Sequence, residues 1–147
     1  MTTKKKRILI VDDDVATTHL LKFGLEKTGF YEVREENTGT NAFNVAHAFM
    51  PDFIILDVCM PQAAGGDIAA QIAADPLLRN TPIVFLTSMV SEAETGNKPL
   101  LSGGYHFLAK PINIRRLVRY IESAVPGEPD STEPAPQGSL SSQAAVS

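Results

Sequence analysis

Apolar residues gather into five short runs: residues 7–11 (RILIV), 31–36 (YEVREE), 53–56 (FIIL), 82–86 (PIVFL) and 105–109 (YHFLA). Most are close to continuous, which is the pattern of strands buried on both faces. The second instead alternates, with Tyr31 and Val33 on one side, and suits a half-exposed edge strand. Between the runs the period lengthens to that of a helix. Leu20, Leu21, Gly24 and Leu25 space a first helix over 15–28, closed by Gly29, and Ala42, Val45 and Ala46 mark a second over 38–48. Ile68 and Ile72 mark a third, ended by Asp75-Pro76. A last helix over 112–125 turns Ile114, Leu117, Val118, Ile121 and Val125 inward and Arg115, Arg116 and Arg119 outward.

Strands alternating with helices predict an α/β fold of (βα)5, flavodoxin-like type. This is a five-stranded parallel sheet of order 2-1-3-4-5 with helices on both faces. The alternating second strand agrees with an edge position. Residues 1–125 form the expected folded domain. Residues 126–147 differ in kind: four Pro, five Ser, two Gly, three acids and no base, without periodicity. That composition predicts a disordered tail and no second folded domain.

Composition removes several classes of function. The chain has 147 residues, 44% of them hydrophobic and 20% charged, so it is one ordinary globular domain in size. The single cysteine excludes an internal disulfide, and no Cys/His cluster has zinc spacing. No apolar run approaches the ~20 residues of a membrane span. The basic start Lys4-Lys5-Lys6-Arg7 leads directly into a strand, unlike a secretion signal. A cytoplasmic, reducing location is expected. A net charge of −4 opposes direct nucleic-acid binding.

The chemistry sits where the apolar runs stop. The first is followed by Asp12-Asp13-Asp14, the third by Asp57, the fourth by Thr87-Ser88 and the fifth by Lys110-Pro111. A parallel sheet brings all these ends to one rim. Any single residue has an ordinary structural use, such as a helix cap, a turn or a surface lysine. Together they are harder to explain that way. Clustered carboxylates repel and must hold protons or a cation. Oxygen ligands without imidazole or thiolate favour Mg²⁺. A lone carboxylate beside a cation, a lysine and a hydroxyl describes a phosphoryl acceptor, with Asp57 as nucleophile.

The residues Val11-Asp12-Asp13, Leu56-Asp57 with Met60-Pro61 and Gly65, Thr87-Ser88, and Phe107-Leu108-Ala109-Lys110-Pro111 closely resemble the receiver domain of bacterial two-component response regulators. The resemblance covers about residues 5–125. It implies that Asp57 takes a phosphoryl group from a sensor histidine kinase or a histidine phosphotransfer protein. It further implies Mg²⁺ held by Asp13, Asp57 and the Cys59 backbone carbonyl, with Asp12 acting mostly through metal-bound water. Ser88, Lys110 and the Cys59 backbone would bind the phosphoryl group, while Thr87 and Phe107 would form the switch. Such a module catalyses only its own phosphorylation and dephosphorylation, and signals by changing a protein-interaction surface. The downstream target is unknown, and a phosphorylation-dependent dimer is left open.

Two features depart from the family. Gly96 and Pro99 interrupt the stretch where a fourth helix should follow Thr87-Ser88, and Gly103-Gly104 suggests a tight turn into the fifth strand. Cys59 and Met89, two residues beyond Asp57 and Thr87, are poorly suited to positioning a water, which implies slow self-dephosphorylation. The rival readings are a Mg²⁺-dependent aspartyl-phosphate phosphatase, a flavin-binding module and a phosphorylation-independent binding module. A phosphatase of the haloacid-dehalogenase type would need an acid where Cys59 stands.

Overall fold

The computed structural model describes residues 4–61, 63–88, 100–102 and 105–124. The structure contains strands β1 (Lys6–Val11), β2 (Tyr31–Glu36), β3 (Phe53–Asp57), β4 (Ile83–Thr87), β5 (Leu100–Ser102) and β6 (Tyr105–Ala109). Helices α1 (Val15–Lys27), α2 (Ala42–Phe49), α3 (Gly65–Ala74) and α4 (Ile114–Ala124) lie between and after them. The sheet order is β2-β1-β3-β4-β6-β5. Its five parallel members reproduce the expected 2-1-3-4-5 order.

β5 was not anticipated. It pairs antiparallel to β6, Leu100 opposite Phe107 and Ser102 opposite Tyr105, and forms the sheet's outer edge. The interrupted stretch 91–99, Met89, Gly103-Gly104 and the tail at 126–147 lie outside the described residues.

Strand alternation sorts the core into two layers. Ile8, Ile10, Phe53, Ile55, Val84, Leu86 and Leu108 meet Leu21 and Leu25 of α1 and Leu117 and Ile121 of α4. On the opposite face Leu9, Val11, Ile54, Leu56 and Phe85 meet α2 and α3 through Ala42, Ala46, Ile68 and Ile72. β1 and β3 are therefore covered on both sides, which is why their sequences run apolar without a break. Each fully buried Ile or Leu contributes about 1.5–3 kcal/mol to holding the sheet together.

The helix ends follow local chemistry. Asp14 caps α1, its carboxylate accepting from the Ala16 N–H (3.2 Å) and the Thr17 hydroxyl (2.7 Å). Gly29, at φ 86°, ends the turn after α1, a conformation that costs glycine little. α1 does not turn all its apolar residues inward. Leu20 and Phe23 are about two-thirds exposed, and Lys27 lies over the Phe23 ring at 5.5 Å. On α4, Arg115 and Arg119 face solvent as expected, whereas Arg116 is half-buried.

One polar link crosses the first layer. The Tyr120 hydroxyl of α4 bonds His106 Nδ1 of β6 at 2.7 Å, with the Tyr120 ring edge-on to Phe53. Burial pushes the Tyr120 phenol up to about 12 from an ordinary 10.0. A raised value means the unfolded chain ionises first. The stability tied to this phenol is therefore complete below pH ~10 and is lost as pH rises towards ~12. Tyr120→Phe should cost about 1–2 kcal/mol near neutrality, because His106 loses its partner in a half-buried setting. In urea titrations the gap between variant and wild type should narrow between pH 10 and 12.

Candidate functional site

The C-terminal ends of β1, β3, β4 and β6 deliver the expected groups to one rim. Asp12 follows β1, Asp57 and Thr87 end β3 and β4, and Lys110 follows β6. Asp12, Asp57 and Thr87 are buried, Asp13 and Ser88 are exposed, and Lys110 is half-buried. One carboxylate oxygen from each of Asp12, Asp13 and Asp57 lies within 4.8 Å of the others.

Lys110 holds this group together. Its Nζ lies 2.7 Å from Asp12 Oδ2 and 3.2 Å from Asp57 Oδ1. Of the two contacts, the one to Asp12 is the shorter. The reason lies in the Asp12 side chain, which is 1% exposed and has Oδ1 engaged by the Asp14 N–H at 2.9 Å. That leaves Oδ2 to be met by the lysine. Burial works against the Lys110 ammonium, yet its contacts with Asp12 and Asp57 outweigh it and raise its pKa.

Asp57 shows the opposite balance. Burial raises its pKa first and the Asp12 charge adds to this, while Lys110 only partly offsets them. The ionised cluster is therefore a strained arrangement of like charges. Its donors fit a hard divalent cation: three carboxylates converge, and neither imidazole nor thiolate takes part. The nearly inaccessible Asp12 carboxylate, whose Oδ2 has the lysine as its charged partner, adds to that fit. Asp12, Asp13 and Asp57 are the residues that would hold Mg²⁺.

The β3–α3 loop depends on close backbone approach. The Gly65 N–H donates to the Val58 carbonyl at 2.9 Å. A Cβ at Gly65 would overlap the Asp57 carbonyl oxygen, so a side chain there would displace Asp57 itself. Cys59 in this loop is free and exposed.

The register places Thr87 opposite Ala109 and Phe85 opposite Phe107. Thr87 and Phe107 thus belong to the same sheet face on adjacent strands. Phe107 is half-buried and stacks on Phe85, ring centroids 5.0 Å apart. The Lys110–Pro111 peptide bond is cis. Asn37 is a residue that the sequence did not single out. It follows β2 and donates to the Asp12 carbonyl at 2.8 Å.

A doubly wound sheet carrying three acids, a hydroxyl and a lysine at one rim is the architecture of a receiver domain. The sequence matches the family of the response regulator receiver domain over residues 8–122, and the chain belongs to that family of two-component signalling modules. It is 35% identical over 121 residues to the response regulator PleD of Caulobacter vibrioides (strain NA1000 / CB15N), covering 78% of this chain but 26% of PleD. It is 26% identical over 119 residues to the polar-differentiation response regulator DivK of Brucella anthropi, covering 80% of this chain and 94% of DivK. Among solved structures, the chemotaxis response regulator CheY4 of Vibrio cholerae superposes with a TM-score of 0.70 at 26% identity, covering 83% of this chain and all of that one. No helix among the described residues is long and apolar enough to cross a membrane.

The charge balance has a measurable consequence. Asp57 has a raised pKa, so its cost to stability appears as pH rises through the carboxylate range and is absent in acid. In chelator at pH 7, Asp57→Asn should stabilise the protein by on the order of 1 kcal/mol. The gain should shrink as pH falls from neutrality and be gone by about pH 4, where the carboxyl is protonated in the folded and the unfolded chain alike. Thermal unfolding across that range checks it.

Proposed function

We propose that this chain is the phosphoacceptor of a two-component or phosphorelay system, with Asp57 the group modified. The single observation that carries this reading is Lys110 lying 3.2 Å from Asp57 within the three-carboxylate cluster. An Asp57 oxygen attacks the phosphorus of a partner's phosphohistidine. The P–O bond forms as the P–N bond breaks, and the departing imidazole recovers a proton. Bound Mg²⁺ would neutralise charge on the transferring group. Lys110 exchanges its carboxylate contact for a phosphoryl oxygen, Ser88 and the Cys59 backbone border the group, and the Thr87 hydroxyl donates to it. Phe107 then leaves Phe85 for the space that Thr87 vacates, altering the surface around β6.

A protein donor is supported by what adjoins the site. A groove of ≈ 310 Å³ opens beside Ser88 and Lys110 and is lined by Leu20, Leu21, Pro111 and Ile112. Leu20, which lines it from α1, is about two-thirds exposed. An apolar surface continuous with the acceptor rim suits the helical surface of a sensor histidine kinase or histidine phosphotransfer protein. The module acts in the cytoplasm without binding nucleic acid directly, and it turns over no external substrate.

Incubation with a small acyl phosphate and Mg²⁺ should add one phosphate-sized mass to wild type. It should add none to Asp57→Asn, and little in chelator. Modification of the Asn variant at the wild-type level would overturn the assignment. Because the exposed Cys59 thiol is a weak hydrogen-bonding group for a water beside Asp57, the phosphorylated form should decay slowly. Cys59→Asn should shorten its lifetime, as followed by loss of the added mass.

A further inference from the structure

Behind the acceptor site runs a hydrogen-bonded chain that the phosphoryl chemistry does not itself use. His19 Nδ1 lies 2.6 Å from Glu35 Oε1, and the Thr18 hydroxyl lies 2.7 Å from the same oxygen. Asn37 Nδ2 lies 3.0 Å from Thr18 Oγ1 and 2.8 Å from the Asp12 carbonyl oxygen. Thr18 is completely buried, so its hydroxyl must find partners inside the protein.

The direction of every proton in this chain can be worked out. Burial alone would favour a neutral Glu35, but the bonds from Thr18 and His19 outweigh it and hold the carboxyl below its usual range. An ionised carboxylate only accepts. The Thr18 hydroxyl also lies 3.1 Å from the Val15 carbonyl, but its one proton goes to the charged and closer Glu35 oxygen, leaving its lone pairs to Asn37. Asn37 must then present its NH₂ to Thr18, and the second proton of that group meets the Asp12 carbonyl. The amide cannot be turned round, because its oxygen would then face two acceptors.

The Asp12 carbonyl belongs to the peptide unit joining Asp12 to Asp13. The N–H of Asp12 is fixed as well, donating to the Glu36 carbonyl at 3.1 Å. Asp12 is thus clamped at both backbone groups by the end of β2 and the residue following it. Peptide planarity passes that constraint to the start of Asp13. We infer that Asn37, oriented by buried Thr18 and its half-buried partner Glu35, is a positioning residue that sets the Asp12–Asp13 turn for divalent-cation binding. The inference rests on the phosphoacceptor reading above. Asn37 touches neither the phosphoryl group nor the cation; it acts through the peptide that carries a ligand.

Calorimetric titration with Mg²⁺ alone tests this on the unphosphorylated full chain. Asn37→Leu, close to Asn in shape but without its donors, should weaken the Mg²⁺ Kd by about tenfold, as is usual for lost support of a metal ligand. Thr18→Val should weaken it less, and Thr18→Ser, which keeps the hydroxyl, should restore it to within about twofold of wild type. A folded Asn37→Leu protein with wild-type Mg²⁺ affinity would overturn the inference and leave the phosphoacceptor reading intact. Wild type that binds no Mg²⁺ would overturn both. Should Asn37→Leu fail to fold, the Thr18 pair decides: weakening by Val with recovery by Ser supports the positioning role, and equal affinities sink it.

Discussion

The ammonium of Lys110 between two buried carboxylates is the constraint on which this molecule turns. Asp12 and Asp57 lie on neighbouring strands of a sheet whose interior admits almost no water to either. Two unit charges about 4 Å apart interact by about 4 kcal/mol at an effective dielectric near 20. A single lysine at 2.7 and 3.2 Å offsets much of the repulsion between its two partners, but Asp13 stands within the same cluster. The rim remains short of positive charge. Burial first, and that deficit with it, make Asp57 hold its proton more tightly than a free aspartate, and the deficit is why an oxygen-seeking cation suits the place.

Such a cluster persists only on a scaffold that cannot relax away from it. β1 and β3 are clamped between two apolar layers, and the acids begin where those strands leave the core. The loops beyond are equally restricted. Asp14 spends its carboxylate on capping α1, Gly65 lets α3 start against the Asp57 carbonyl, and Asn37 ties the Asp12 peptide to β2. The polar rim is therefore built out of the apolar interior one residue at a time. The same strands that bury Ile10 and Ile55 aim the acids that follow them.

Much of this is legible in the sequence because two periodicities and a topological rule suffice. Apolar runs give the strands, their parallel order brings their ends together, and the residue types at those ends specify the chemistry. What was not legible depends on contacts that leave no periodic trace. Leu20 fits a helical repeat as well as Leu21 does, but only the packing of α1 shows which of them reaches the core. β5 is three residues long and gains its identity from β6, not from its own pattern. The preference of Lys110 for Asp12 follows from the Asp14 N–H occupying the other Asp12 oxygen. Asn37 is one polar residue in a loop, and its importance appears only once Thr18 and Asp12 are seen on either side of it.

On the proposed reading, the same energetics explain why phosphorylation can move an aromatic ring. At rest Phe107 stacks on Phe85, a pairing worth about 0.5–1.5 kcal/mol beyond the area it buries. A phosphoryl group adds negative charge beside Lys110 and offers an acceptor to Thr87, and hydrogen bonds to charged groups contribute about 1.5–3 kcal/mol each. Thr87 and Phe107 share a sheet face, so a hydroxyl drawn towards the rim frees volume on the side where the ring can follow. The stacking energy is smaller than what one or two such bonds supply. It is large enough, however, to keep the ring in place when they are absent. A modification can shift a population only through interactions that differ between two states, and here Thr87 supplies that difference at a distance the ring can sense.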